Sequence, residues 1–284
     1  MMYFILRLFS SLPLVVLQFI GAVIGLFIYL LSSRYRSRLN DNLQSAAISS
    51  GFIADRFRAA CESGMMFADT LWIWRHPKSA LKKATIVDLE KVIALTQSGR
   101  GLIILAPHLG GFEIVPRIFA EHMKATVMYR AARKSWLNQL MLKSRLHPNM
   151  EFVEANLGGV RKIKRALKNG EVIGLLADQV PSVGDGIWAK FFKQYAYTTS
   201  LPIKLTRLND IPTLFVSAER LPFGRGWLIK NQLMKEKYPE CLIEACTKMN
   251  GVFEELIVSK PNQYLWSYNR YKTPLGAELR PINL

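Results

Sequence analysis

Gly101-Leu102-Ile103-Ile104-Leu105-Ala106-Pro107-His108-Leu109-Gly110-Gly111-Phe112-Glu113 is the stretch on which the reading of this chain turns. Residues 101–106 are apolar without interruption, the pattern of a strand buried on both faces. Gly110 and Gly111 permit a tight turn and close approach by a substrate. From Phe112 onward the spacing becomes helical. In open α/β sheets ligands collect at the carboxyl ends of strands, and His108 stands at such an end. Glu113 falls in the first turn of the expected helix, placed to meet the imidazole across the turn. Its carboxylate would fix the tautomer and stabilise the imidazolium. His108 would then take a proton from a substrate hydroxyl, as a general base without a covalent enzyme intermediate. Taken alone, a histidine followed five residues later by a glutamate more often serves structure than catalysis. The strand-end position, the glycines and the apolar N-terminus shift the balance toward chemistry.

The same texture continues downstream. Short apolar runs at residues 125–129, 151–153, 172–177, 213–218 and 227–229 read as strands. Helical candidates occupy 112–122, 134–146, 159–168 and 240–258, the last with Leu242, Cys246, Met249, Phe253 and Leu256 on one face. Strand and helix alternating in this way predict an α/β domain, a mixed sheet flanked by helices. Upstream, residues 52–74 form an amphipathic helix whose Trp72 and Trp74 fit either a membrane headgroup region or packing against the main domain. No repeat, low-complexity tract or long linker divides the chain. The expected organisation is an N-terminal anchor over residues 1–33 and one domain over 34–284.

Between Arg7 and Arg34 only Tyr29 is ionisable. Roughly 20 apolar residues cross a hydrocarbon core, and a cleaved signal peptide has a shorter apolar region and a small-residue cleavage site. Two placements fit this segment, spanning the membrane or lying in it. Arg34, Arg36 and Arg38 follow directly and put the remainder on the cytoplasmic side by the positive-inside rule. The chain carries 38 Lys+Arg against 21 Asp+Glu, a net charge of +17 that attracts polyanions or an anionic membrane surface. No nucleic-acid-binding motif accompanies the charge, so nucleic acid is not an expected partner. Cys61, Cys241 and Cys246 have neither disulfide nor metal-ligand spacing. Core packing is their expected role, and no metal or cofactor is called for.

The His-x4-Glu box at His108 and Glu113 resembles the His-x4-Asp/Glu box of glycerolipid acyltransferases. Further elements narrow the resemblance to the late (lauroyl/myristoyl) acyltransferases of lipid A biosynthesis. They are Met128-Tyr129-Arg130, Asn169-Gly170-Glu171 through Ala177-Asp178-Gln179, Lys190-Phe191-Phe192, and Gln263-Tyr264-Leu265-Trp266 with Asn269-Arg270-Tyr271-Lys272. Their order covers nearly the whole chain. The chain departs from relatives at Pro107, where glycerolipid acyltransferases often carry Asn, and at Tyr268, where His is common. It lacks the Phe-Pro-Glu-Gly-Thr motif of glycerol-phosphate acyltransferases.

The resemblance implies transfer of a fatty acyl group from an acyl carrier protein thioester to a hydroxyl of a lipid A precursor, at the cytoplasmic face of a bacterial inner membrane. His108 would be the base and Glu113 its partner. Asp178 and Gln179 fall on the family's Asp-Gln position, and Arg145 lies near its functional arginine. Arg130 is the other candidate for binding phosphate or the acyl carbonyl. Asp178 equally fits a cap at a strand end, and the Arg161–Arg165 cluster fits a solvated face. Rival readings are a same-fold acyltransferase acting on another glycolipid or amino-lipid, and an inactive membrane adaptor.

Overall fold

The computed structural model describes residues 11–281. Residues 1–10 of the expected anchor, with Arg7, lie outside the described residues, as do residues 282–284. In chain order the helices are α1 (Leu14–Leu31), α2 (Ser33–Ser50), α3 (Arg56–Arg75), α4 (Pro77–Lys82), α5 (Leu89–Thr96), α6 (Ile114–Ala120), α7 (Ser135–Ser144), α8 (Leu157–Lys168), α9 (Leu201–Thr206) and α10 (Leu242–Ser259). The strands are β1 (Ala84–Ile86), β2 (Leu102–Ala106), β3 (Ala125–Tyr129), β4 (Met150–Glu154), β5 (Val172–Leu176), β6 (Gly186–Phe191), β7 (Gln194–Thr199), β8 (Thr213–Leu221) and β9 (Gly226–Leu233).

Seven strands form the central sheet in the order β1-β9-β8-β2-β5-β3-β4, and β6 pairs with β7 in a separate hairpin. Neighbours in the central sheet are parallel except β8 with β9, which makes the sheet mixed. Every residue of β2 is buried, as its unbroken apolar run requires. Its side chains alternate between two cores. Ile103 and Leu105 face a layer with Ile163 of α8 and Met249 and Phe253 of α10. Leu102 and Ile104 face Leu17 of α1, Trp72 of α3 and Ile118 and Phe119 of α6. Each such fully buried side chain contributes about 1.5–3 kcal/mol, so the middle of the sheet is the rigid part of the molecule. Trp72 packs in this second layer, and half-buried Trp74 donates its ring N–H to Glu113, so both tryptophans contact the main domain. Of the three cysteines only Cys246 is fully buried; Cys241 is exposed at the start of α10.

The helix α1 has the length and apolarity needed to cross a membrane. It is nevertheless bound along one side. Leu14, Leu17, Gln18, Gly21, Gly25 and Tyr29 recur at helical spacing and are buried. The opposite side shows Phe19, Phe27 and Leu31 outward, at 70%, 57% and 83% exposure. The buried side lies on α3, where Gly21 and Gly25 face Gly64 closely enough for backbones to touch. Polar groups cross the same seam. Gln18 donates to buried Asp69 at 2.7 Å, Asp69 also accepts from Trp227 of β9 at 3.0 Å, and Arg220 of β8 spans Asp69 (2.7 Å) and Glu62.

A side chain at Gly64 would drive its Cβ into the Gly21 carbonyl. Overpacking of this kind costs about 1–3 kcal/mol. Gly64→Val should therefore lower the thermal midpoint of the detergent-solubilised protein, while Gly251→Ala, mid-helix in α10 where a Cβ meets open space, should hold or slightly raise it, since glycine inside a helix costs about 0.5–1 kcal/mol relative to alanine. Differential scanning fluorimetry of the two variants checks this.

Candidate active site

Strands β2 and β5 are parallel neighbours with Ala106 paired to Leu176. Two residues beyond each strand end stand His108 and Asp178, so the register alone sets them side by side. Asp178 Oδ1 lies 2.7 Å from His108 Nδ1, and Asp178 Oδ2 accepts from the His108 backbone N–H at 2.9 Å. One carboxylate thus holds both the ring and the main chain of the histidine. Asp178 is 2% exposed. Burial works against its charge, but the His108 ring, the two hydrogen bonds from His108 and the charge of Arg270 prevail. They hold the carboxyl below the usual carboxylate range. With Nδ1–H donating to Asp178, the opposite nitrogen, Nε2, is the basic one. It faces the Gln179 side-chain amide at 3.2 Å. Phe112 packs its ring 4.8 Å from the imidazole.

The expected meeting of Glu113 and His108 across the turn is not what the structure holds. The turn between them is pinned elsewhere: Gly110 N–H donates to the Gln263 carbonyl and Gly111 N–H to the Ala218 carbonyl. Gly110 carries φ 56° and approaches Ala218 too closely for any Cβ. Glu113 leaves this turn toward Arg145, at the end of α7. Arg145 Nε and Nη2 donate to its two carboxylate oxygens at 2.6 and 2.8 Å, and Trp74 Nε1 donates to Oε1 at 2.7 Å. The guanidinium lies over the rings of Trp74 and Phe152, 5.8 and 5.0 Å from their centroids. A planar, bidentate, stacked pair of this kind is specific to arginine.

His108, Glu113, Arg130, Arg145 and Gln179 all line one cavity of about 360 Å³, whereas Asp178 sits behind the histidine. The cavity walls below them are apolar, formed by the α6-facing side of β2, β3 and β5. Arg130 is exposed and donates to Ser182 Oγ at 3.4 Å. Tyr268 accepts the Val180 N–H on its hydroxyl at 3.0 Å and so shapes the loop after Asp178. Arg270 is buried and donates to the Tyr197 carbonyl and Thr198 Oγ1, both at 2.8 Å. Tyr264 and Trp266 belong to the core. The basic face of α8 is exposed, with Lys162 paired to Glu151 at 2.7 Å. Among the described residues no cluster of side chains could hold a metal ion. Trp74 stands out in the sequence only as a packing or headgroup tryptophan, and nothing local marks Phe152; their role beside Arg145 appears only where α3, β4 and α7 converge.

The structure is a mixed α/β layer carrying a histidine–aspartate pair at the carboxyl edge of its sheet, above an apolar cavity. The chain belongs to the bacterial lipid A biosynthesis acyltransferase family, whose sequence profile matches residues 1–273. It is 28% identical over 281 residues to the lipid A biosynthesis palmitoleoyltransferase of Escherichia coli K12, covering 96% of this chain and 90% of that protein. A lipid A biosynthesis acyltransferase of Shigella flexneri matches with the same identity and coverage. The lipid A biosynthesis lauroyltransferase of Escherichia coli K12 is 26% identical over 225 residues, 76% of this chain and 71% of that protein.

A carboxyl held below its ordinary pKa contributes stability that is present above the unfolded value, about 3.9, and is lost as pH falls toward the folded value. The stability gap between wild type and Asp178→Asn should accordingly be level near neutral pH and narrow below about pH 4. Denaturant titrations of both proteins across that range measure it; a gap that widens on acidification contradicts the assignment of Asp178 as the ionised partner.

Proposed function

We propose that this protein transfers a fatty acyl chain from an acyl carrier protein thioester to a hydroxyl of a lipid A precursor, with His108 as general base. The observation that carries the reading is the His108 ring: Nδ1 is tethered to buried Asp178, while the ring lines an apolar cavity of chain-like volume. The acceptor hydroxyl takes the place that the Gln179 amide now occupies at Nε2. Its proton passes to Nε2 as its oxygen bonds to the thioester carbonyl carbon. Collapse of the tetrahedral adduct breaks the carbon–sulfur bond, and the proton on Nε2 goes to the departing thiolate. Asp178 keeps the imidazole oriented and stabilises its charged form.

Glu113 serves this reading through Arg145. Its two oxygens fix the guanidinium between Trp74 and Phe152, and Arg145 with Arg130 offers positive charge at the cavity for a phosphate or the acyl carbonyl. The apolar outer side of α1 and the following Arg34, Arg36 and Arg38 support a site on the cytoplasmic face of the inner membrane. The expected product is an acylated lipid A precursor. Removal of a general base typically costs about 10²–10⁴-fold in turnover. His108→Ala should show a loss of that size in transfer from acyl carrier protein to lipid A precursor; because it leaves buried Asp178 without its ring partner, its thermal midpoint should also fall, so transfer is assayed below the variant's own unfolding transition. Near-normal transfer by the folded variant would exclude His108 as the base.

The exposed Lys164 and Arg165 of α8 supply charge for meeting the acidic carrier protein. Such charges act over about 8 Å at physiological ionic strength, so they govern encounter rather than chemistry. Lys164→Glu with Arg165→Glu should raise KM for the acyl carrier protein substrate and leave kcat within about twofold, with the difference from wild type shrinking in high salt. Steady-state kinetics at two salt concentrations separate this from a merely solvated face, for which the reversal would have no effect.

A further inference from the structure

A second cavity, of about 660 Å³, lies between α1, α3, the β8–β9 turn and the turn after α10. It shares no lining residue with the cavity at His108. Its lining is of two kinds. Val15, Phe19 and Ala22 of α1 and Phe223 of the β8–β9 turn are apolar; Arg58, Arg220 and Lys260 bring positive charge against the one carboxylate of Glu62. These charges do not balance within the protein. Arg220 is held by Glu62 and Asp69. Arg58 lies 4.0 Å from the same Glu62, with its side chain 66% exposed. Lys260 is exposed, and its ammonium has no carboxylate partner among the described residues. Two cations thus stay open to an anion. In the same lining, Asn262 has a buried side-chain oxygen without a hydrogen-bond partner, a condition few polar atoms tolerate in folded proteins.

Phe223 narrows the kind of anion. It occupies left-handed backbone, φ 58°, with its ring 87% exposed. That conformation is costly for a bulky residue. At Phe192, φ 45°, burial of the ring in the core offsets the cost; no such burial exists at Phe223. The turn is nonetheless fixed in place. Gly224 lies against Val15 of α1, and its carbonyl accepts from Lys83 Nζ at 3.0 Å. The ring is therefore held out beside the apolar outer side of α1. An aromatic that extends the apolar side of a membrane helix is covered by lipid rather than by water. A free phosphate would satisfy Arg58 and Lys260 but leave Val15, Phe19 and Phe223 bare.

We propose that this groove holds an anionic phospholipid, its phosphate at Arg58 and Lys260 and an acyl chain along Val15, Phe19 and Phe223. The site is separate from the reaction centre, and the proposal does not depend on acyl transfer. Arg220 and Gln263 line the groove and also hold the turn after His108. A bound lipid therefore rests against the residues that fasten that turn.

The test uses the full chain in neutral detergent, titrated with phosphatidylglycerol or phosphatidylcholine of the same acyl chains and read by native mass spectrometry and thermal midpoint. Wild type should retain one phosphatidylglycerol about tenfold more tightly than phosphatidylcholine, from the charge of two basic residues. Its midpoint should rise with phosphatidylglycerol concentration. Arg58→Gln with Lys260→Gln should erase the preference and keep the lipid-free midpoint near wild type. Phe223→Asn separates the apolar lip from the backbone strain, because asparagine accepts left-handed backbone. Its lipid-free midpoint should hold or rise, while its affinity for phosphatidylglycerol falls by about threefold to tenfold. Equal retention of the two lipids by wild type would overturn the proposal, as would an undiminished preference in the double variant or wild-type affinity in Phe223→Asn. Glycerol 3-phosphate should leave the midpoint unmoved; a shift as large as that from the lipid would give the site to a free anion instead. A dimer in place of the lipid adduct would give the groove to a second copy of the chain and overturn the lipid assignment.

Discussion

Arg220 reaches three parts of the molecule at once. It projects from β8, almost fully buried, between Asp69 and Glu62 of α3, with a third, longer contact of 3.5 Å to the Gly110 carbonyl. Its own backbone exchanges two hydrogen bonds with the Gln263 side chain, whose main-chain carbonyl receives Gly110 N–H. The N-terminal helices, the sheet and the turn after His108 are therefore fastened through one guanidinium. Of its two carboxylates, Glu62 also lies 4.0 Å from the more exposed Arg58, and Asp69 is satisfied further by the Gln18 and Trp227 donors. Removing one member of a buried, satisfied group of charges costs about 3–5 kcal/mol, because the others are left uncompensated in low dielectric. The geometry of the turn after His108 is thus bound to the packing of the N-terminal helices although the two are remote in sequence.

The site itself is a product of strand order. His108 and Asp178 are 70 residues apart, yet each leaves its strand two positions after a paired residue, Ala106 or Leu176. Likewise Glu113 and Arg145 meet because α6 and α7 follow β2 and β3 on the same side of the sheet. The site contains two carboxylate partnerships, one turned to the imidazole and one to a guanidinium. Asp178 lies at the back, out of solvent, where its charge is sustained by the groups it orients. Glu113 stands at the cavity and is shielded by its arginine.

Much of the framework could be read from pattern alone. The strand at residues 125–129 occurs with the bounds its apolar run suggests, and the buried β2 and the helix α10 follow their periodicities closely. Other parts carry no such signal. The helix α2 is rich in Arg, Asn and Ser, and only Leu39, Leu43, Ala46 and Ala47 are buried, so its apolar stripe is thin; Ser32 and the left-handed Gly51 mark its ends more clearly than its interior does. The β6–β7 hairpin turns on Phe192 and Lys193, both at positive φ, where Asn-Gly would have announced it. Phe192 accepts that conformation because its ring is buried against Phe191 and Trp266. At the site, His108 and Glu113 were legible as chemistry-bearing residues from the turn that carries them. Asp178 and Arg145 were reached only through the family resemblance, and as substrate-binding candidates; that they partner His108 and Glu113 was not legible, because pairing of β2 with β5 is a property of the whole sheet and leaves no trace in the spacing of a single segment.

The seam between α1 and α3 has a practical side. A soluble form of a membrane-attached enzyme is usually sought by cutting away its apolar helix, on the assumption that the helix is a tether. Here the cut would strip Gln18 from Asp69 and open the glycine-lined groove along Gly64 to water. It would also unroof Leu102, Ile104 and Trp72, whose layer includes Leu14 and Leu17. A shortened chain would present a sticky apolar trench beside a half-solvated ion cluster, and that cluster is the one gripping the turn after His108. Purification in detergent or nanodiscs with the helix in place preserves the enzyme; trimming for solubility yields a different, less ordered molecule.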